Sequence, residues 1–159
     1  HVKLFLVLKM LNKFNFLDFN FFSIRKLPAS GTFASIITIF FYYFVIFFFS
    51  KNVFFIILII ITIYSFIFLN KTLNKFDNKD PKEIVIDEFI GQSIPLLLCD
   101  KNIVLIFASL ITFRVFDIFK IFPANIVDKK IDGAIGVIGD DIIAGLYTLV
   151  IIYFIKTII

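Results

Sequence analysis

The twelve carboxylates of this 159-residue chain are unevenly placed. Asp77, Asp80, Glu83, Asp87 and Glu88 share one polar stretch, and Asp117, Asp128, Asp132, Asp140 and Asp141 share another. Only Asp18 and Asp100 fall elsewhere. Asp80, Glu83 and Asp87 run i, i+3, i+7, which is one face if their stretch is helical. Arg114, Asp117 and Lys120 also fall three apart. Asp87–Glu88 and Asp140–Asp141 are adjacent like charges set against apolar segments, and such pairs repel unless a cation or basic group compensates. A solvated acidic face with helix caps is the plainer reading, but it leaves these pairs uncompensated. No His or Cys set accompanies them, so a bound cation would see oxygen only, a donor set suited to Mg²⁺, Mn²⁺ or Ca²⁺ rather than Zn²⁺. Mg²⁺ takes a few carboxylates and completes its shell with water and substrate phosphate. Arg114 and Lys120 are placed to neutralise that phosphate. Carboxylates, a divalent cation and basic side chains together suit phosphoryl transfer.

Two further segments bear on phosphate. Gly133, Gly136 and Gly139 recur every third residue before Asp140. Read as a loop, they let backbone N–H groups approach an anion, which makes Gly133 and Gly136 phosphate-binding candidates. A close-packed helix contact would want the same small residues. Pro28–Ser35 reads as a polar turn before the first apolar run, where Thr32 and Ser35 either donate to phosphate or cap the helix. Several other chemistries are excluded. His1 is the only histidine, so no histidine nucleophile serves a phosphatase here. Cys99 is followed by no Arg-bearing phosphate loop, and no Asp-x-Asp-x-Thr run exists. Asp128-x-x-x-Asp132-Gly133-Ala134 touches the CDP-alcohol phosphatidyltransferase signature but lacks its Ala-Arg pair and later aspartates.

The elements that must hold these residues are membrane helices. The chain is 60% hydrophobic, against roughly 45–50% for a soluble domain, and its net charge of +4 suits an anionic lipid surface. The uncharged runs Phe33–Phe49 and Val53–Leu69 reach the short end of what crosses a hydrocarbon core of ~30 Å, with a tight turn at Ser50–Asn52. Phe89–Leu98, holding Gly91 and Pro95, and Ile103–Phe113 read as half-length or membrane-dipping helices around a break at Cys99–Asn102. Ile142–Ile159 reads as the last helix. Lone strands cannot cross a bilayer, and no repeated alternation supports a barrel. The expected fold is all-α, an integral membrane helical bundle of about four spanning or membrane-dipping segments with its polar motifs on one side. Residues 1–22 read as an N-terminal, interfacial segment without a signal-peptide cleavage site, and residues 23–159 as a single membrane-embedded domain. Lone Cys99 forms no internal disulfide and reads as a packing residue. Arg25, Lys26, Lys71, Lys75, Lys79, Lys82, Arg114, Lys120, Lys129 and Lys130 fall on the polar-motif side, against Lys51, Lys101 and Lys156 opposite, which makes the first side cytoplasmic.

Three blocks between Leu27 and Leu149 resemble the phosphatidylglycerophosphatase A family. Leu27-Pro-Ala-Ser-Gly-Thr-Phe-Ala-Ser35 is similar to its Pro-Gly-Thr-x-Gly-Ser turn, and Ile84-Val-Ile-Asp-Glu-Phe-Ile-Gly91 to its Asp-Glu-Phe-x-Gly block. Phe113-Arg-Val-Phe-Asp-Ile-Phe-Lys120, with Pro123 and Asp128 through Gly145, resembles its Phe-Arg-x-x-Asp-x-x-Lys and glycine–Asp-Asp blocks. Ser30, Ala34, Ile121 and Ala134 depart from the family's pattern, and none of these changes removes a charge. The resemblance implies a mostly helical fold and Mg²⁺-dependent hydrolysis of phosphatidylglycerophosphate to phosphatidylglycerol at the bacterial inner membrane. It points to Asp87, Glu88, Asp117, Lys120, Asp140 and Asp141 as the polar core of the site. The resulting expectation is that Asp87, Glu88, Asp140 and Asp141 hold Mg²⁺ while Arg114 and Lys120 clamp the phosphate, and that a carboxylate serves as base for an attacking water. The substrate is a phospholipid in the membrane, with no nucleic-acid partner. The alternative from another class is a membrane cation-binding or transport protein, which would want ionisable groups near the bilayer midplane. A further alternative is a scaffold without activity. The sequence leaves the oligomeric state open.

Overall fold

The computed structural model describes residues 30–72 and 85–158, and every regular element among them is a helix. In chain order these are α1 (Ser30–Phe48), α2 (Lys51–Thr72), α3 (Ile86–Cys99), α4 (Ile103–Phe119), α5 (Ala124–Lys130) and α6 (Ala134–Ile158). The expected interfacial segment 1–22, the acidic residues Asp77, Asp80 and Glu83, and the basic residues Arg25, Lys26, Lys75, Lys79 and Lys82 lie outside the described residues, as does the side chain of Lys71.

The pattern along α1 explains both its helicity and its surroundings. Gly31, Ala34, Ser35, Thr38, Tyr42, Val45 and Ile46 recur at three- and four-residue spacing and are buried. Phe40 and Phe47 on the other side are 70% and 74% exposed. Large apolar side chains outside and small or hydroxylated ones inside reverse the usual soluble arrangement and suit a lipid surround. Three helices, α1, α2 and α6, are long and apolar enough to cross a membrane. The protein is therefore a membrane-associated helical bundle. Its buried serine and threonine hydroxyls are satisfied within their own helices, as hydrocarbon requires. Thr38 donates to the Ala34 carbonyl at 2.8 Å, Ser93 to Phe89 at 2.7 Å and Thr148 to Ala144 at 2.9 Å.

α3 and α4 form a hairpin. Asn102 caps α4, its side-chain oxygen accepting from the Val104 and Leu105 N–H groups at 2.9 and 3.3 Å. The carboxylate of Asp100 at the hairpin tip pairs with Lys51 at 2.8 Å and with Lys156, and the Tyr42 hydroxyl donates to the Asp100 carbonyl at 2.7 Å. Lys51 opens α2 and Lys156 lies near the end of α6. The tip thus reaches the level of the far ends of its neighbours. The two segments expected to be half-length or membrane-dipping are helices of 14 and 17 residues, shorter than α1, α2 and α6. Tyr42→Phe removes the hydroxyl from this junction and is expected to cost about 1 kcal/mol, read as a lower midpoint of thermal unfolding in detergent.

The second polar stretch is also largely helical. α4 continues through Arg114 and Asp117 to Phe119, and α6 begins at Ala134, not at Ile142 as the composition suggested. Gly136 and Gly139 are therefore helical residues. A Cβ at Gly136 would overlap the Ile131 carbonyl, and one at Gly139 would press on Val127. Their smallness serves the seating of α5 and its following turn against α6. Of these three glycines, Gly133 is the one with a positive φ, 82°. The Tyr147 hydroxyl donates to the Phe122 carbonyl at 2.7 Å and ties the α4–α5 connection to α6.

Candidate active site

α3 packs most extensively against α6, and two glycines permit it. A Cβ on Gly91 would stand 2.6 Å from the Asp141 carbonyl oxygen and 2.6 Å from the Phe113 ring, and one on Gly145 would overlap the Gly91 carbonyl. Pro95 lies four residues after Gly91 inside α3 and has no N–H for that carbonyl. The freed oxygen faces Gly145, so the sequence pair Gly91/Pro95 prepares the surface that α6 meets.

This crossing assembles the site. Asp87 stands one turn before Gly91, and Asp141 one turn before Gly145. Asp87, Glu88 and Asp141 each present a carboxylate oxygen, all within 4.8 Å of one another. Burial first, and then the charges of Glu88 and Asp141, push the Asp87 carboxyl well above the usual carboxylate range. Burial likewise raises Glu88. Glu88 Oε2 and Asp140 Oδ1 are buried without a hydrogen-bond partner among the described residues. Crowded carboxylates with unused oxygens fit a hard divalent cation: all donors are oxygen and some already lack a proton-bearing neighbour. The triad could hold a metal ion.

Basic groups flank the triad. Lys120 ends α4 in a left-handed conformation, φ 42°, with its N–H on the Phe116 carbonyl at 2.9 Å. Its Nζ lies 2.5 Å from Asp128 Oδ1 and 2.6 Å from Asp140 Oδ2. Burial works against its charge, but hydrogen bonds to Asp128 and Asp140 outweigh it and raise the ammonium above its usual value. Arg114 pairs with Asp117 on the same helix, and Asp117 in turn neighbours Glu88 and Asp141.

A cavity of about 250 Å³ unites these groups. It is lined by Asp87, Glu88, Asp117, Lys120, Asp140 and Asp141, with Gly133 and Gly136 at its edge. Three sequence candidates stand elsewhere. Ser35 is fully buried in α1 and donates to the Gly31 carbonyl at 3.0 Å. Neither it nor Thr32 lines the cavity, because the expected turn is helix from Ser30 onward. The same block contributes through Ser30, which lines the cavity, and through Gly31, where a Cβ would overlap both Glu88 and Arg114. Arg114 sits behind the lining and holds Asp117. Asp140, expected beside the cation, is spent in part on Lys120. Asp128, Lys129 and Asp132 also line the cavity. Their place in the block Asp128 through Gly145 is the sequence signal for them, and no spacing singles them out within it.

The profile of the family described as phosphatidylglycerophosphatase A matches residues 19–156. The chain is 38% identical over 77 residues to "Phosphatidylglycerophosphatase A" of Escherichia coli (strain K12), covering 48% of this chain and 45% of that one. It is 33% identical over 87 residues to the protein of the same name from Haemophilus influenzae, covering 54% and 53%. It is also 31% identical over 97 residues to a Bacteroides thetaiotaomicron protein provisionally named a phosphatidylinositol-3-phosphatase, covering 58% and 60%. The matched region thus spans about half the length of these curated relatives. No solved structure matches the chain.

Proposed function

This chain belongs to the phosphatidylglycerophosphatase A family, and from that premise we propose that it hydrolyses the terminal phosphomonoester of phosphatidylglycerophosphate, giving phosphatidylglycerol and inorganic phosphate. The observation that carries the reading is the carboxylate triad Asp87, Glu88 and Asp141 beside Lys120 in one cavity of a membrane bundle. Its likeness to two relatives bearing the phosphatidylglycerophosphatase A name supports the choice of substrate. Asp87, Glu88 and Asp141 would hold Mg²⁺, which when bound offsets phosphate charge and makes water more acidic.

The chain's own groups divide the remaining work. Lys120 has three N–H donors; Asp128 and Asp140 take two, leaving a fixed third for a phosphate oxygen. Asp117, oriented by Arg114, is placed to accept the proton of the attacking water. The water oxygen bonds to phosphorus as the bond to the glycerol oxygen breaks; that oxygen takes a proton from solvent, and Asp117 gives up to solvent the proton it accepted. We place the site on the cytoplasmic side of a bacterial inner membrane, on the Lys and Arg distribution read from the sequence. The transport alternative fits less well, because Asp87 and Glu88 open α3 and Asp117 falls near the end of α4, at the end of that hairpin opposite Asp100, rather than at mid-height.

The test is phosphate release from phosphatidylglycerophosphate in detergent micelles, with Mg²⁺ and then with EDTA. Release that EDTA abolishes and Mg²⁺ restores is expected. No release from folded protein would overturn the assignment. Phosphatidylinositol 3-phosphate in the same assay distinguishes head groups and is expected to be the poorer substrate. Lys120→Ala should lower kcat/KM about 10²-fold, the scale of a lost charge-stabilising donor, and Lys120→Arg should recover part of it.

A further inference from the structure

A second cavity of about 250 Å³ opens on the side of the bundle between α2, α3 and α6. Leu58, Ile59, Thr62 and Ile63 of α2 and Ile90 and Ile94 of α3 line it, together with Ile142 of α6. Thr62 is the only polar residue of the lining, and its hydroxyl is spent on the Leu58 carbonyl at 2.8 Å. The groove therefore offers nothing to a polar ligand and suits hydrocarbon. Ile63 at the rim is 56% exposed, so the groove is entered sideways, from the lipid.

Its position relative to the carboxylate cavity identifies the occupant. Asp87, Ile90 and Ile94 run i, i+3, i+7 along one face of α3, and that face passes from the carboxylate cavity into the groove. On α6, Asp141 of the cavity is followed directly by Ile142 of the groove. We propose that the groove receives an acyl chain of the phospholipid whose head-group phosphate is held by the carboxylate–lysine site. The assignment rests on the phosphatase reading for the identity of that lipid. The apolar seat lets the enzyme draw its substrate from the bilayer without lifting the chain into water, and aligns the phosphate with Lys120.

Two measurements test it. In the first, phosphatidylglycerophosphate with a diazirine in one acyl chain is photolysed with the protein in phosphatidylcholine vesicles, and the labelled peptides are mapped. Labels concentrated on residues 58–63 and 90–94 are expected, and a phosphatidylcholine probe with the same chain should not concentrate there. Equal labelling by both probes, labels spread over the outer phenylalanines, or cross-links to a second copy through the groove would each overturn the proposal. In the second, Thr62→Trp fills the groove. The ratio of kcat/KM for the diacyl lipid to that for its deacylated, water-soluble head group should fall tenfold or more, mostly through KM. An unchanged ratio would overturn the groove while leaving the phosphatase standing. Should the wild-type protein cleave neither substrate, the phosphatase reading falls, and the two photoprobes still decide whether the groove selects a phosphomonoester lipid.

Discussion

Asp141→Asn is expected to cut phosphate release from phosphatidylglycerophosphate by about 10²–10³-fold without unfolding the protein. The amide is nearly isosteric with the carboxylate, and Asp141 is only 4% exposed, so packing across α3 and α6 is kept. The charge is what changes. Asp87, Glu88 and Asp141 crowd their oxygens within 4.8 Å, and removing one negative charge relieves repulsion that the protein otherwise tolerates. Without a divalent cation, the variant should melt no lower than the wild type. With Mg²⁺ the order should reverse, because a ligand that binds the folded state stabilises it with the logarithm of its concentration over Kd and the variant has lost a ligand group. Initial rates, with melting curves taken with and without Mg²⁺, check both halves. Wild-type activity in a folded variant would remove Asp141 from the site.

Gly91→Ala is expected to damage activity from a position that touches no substrate. Its Cβ would meet the Asp141 carbonyl and the Phe113 ring at 2.6 Å. One of these is backbone and cannot swing away, so α3 and α6 must part. The parting falls one turn from the triad. Displacements near 1 Å can cost about 10²-fold in rate, and the overpacking itself about 1–3 kcal/mol. Gly139→Ala is the control, because its Cβ meets only the end of the Val127 side chain, at 2.9 Å. That variant should keep most of its activity. Equal rates in the two variants would show that the helix crossing does not set the site.

Much of this arrangement was legible one residue at a time. The apolar runs announced α1, α2 and the body of α6, since nothing but helices buries so much uninterrupted hydrocarbon with so little loop. The acidic pairs announced a charged site. What failed to read was anything decided between helices. Gly133–Gly139 looks like a loop because each glycine costs a helix about 1 kcal/mol; the structure spends that cost from Gly136 onward so that Ile131 can approach. The three-residue spacing of Arg114 and Asp117 does suggest one helix face, but not that each is the other's partner. The pairing of Lys120 with Asp140 rather than with phosphate alone spans twenty positions of chain and three elements, and no spacing rule reaches that far. Thr32 and Ser35 stand in helix where the composition suggests a turn.

The reversed surface of α1 has a consequence for how this protein can vary. Its phenylalanines dominate the sequence to the eye, yet Phe40, Phe44 and Phe47 face outward, where any bulky hydrocarbon serves a fluid neighbour equally well. Ser35, Thr38, Gly91, Ser109 and Gly145 occupy tight interior sites, where one added methylene has nowhere to go. Mutational drift should therefore run freely through the most conspicuous residues and stall at the least conspicuous. The bundle's individuality is written in its smallest side chains.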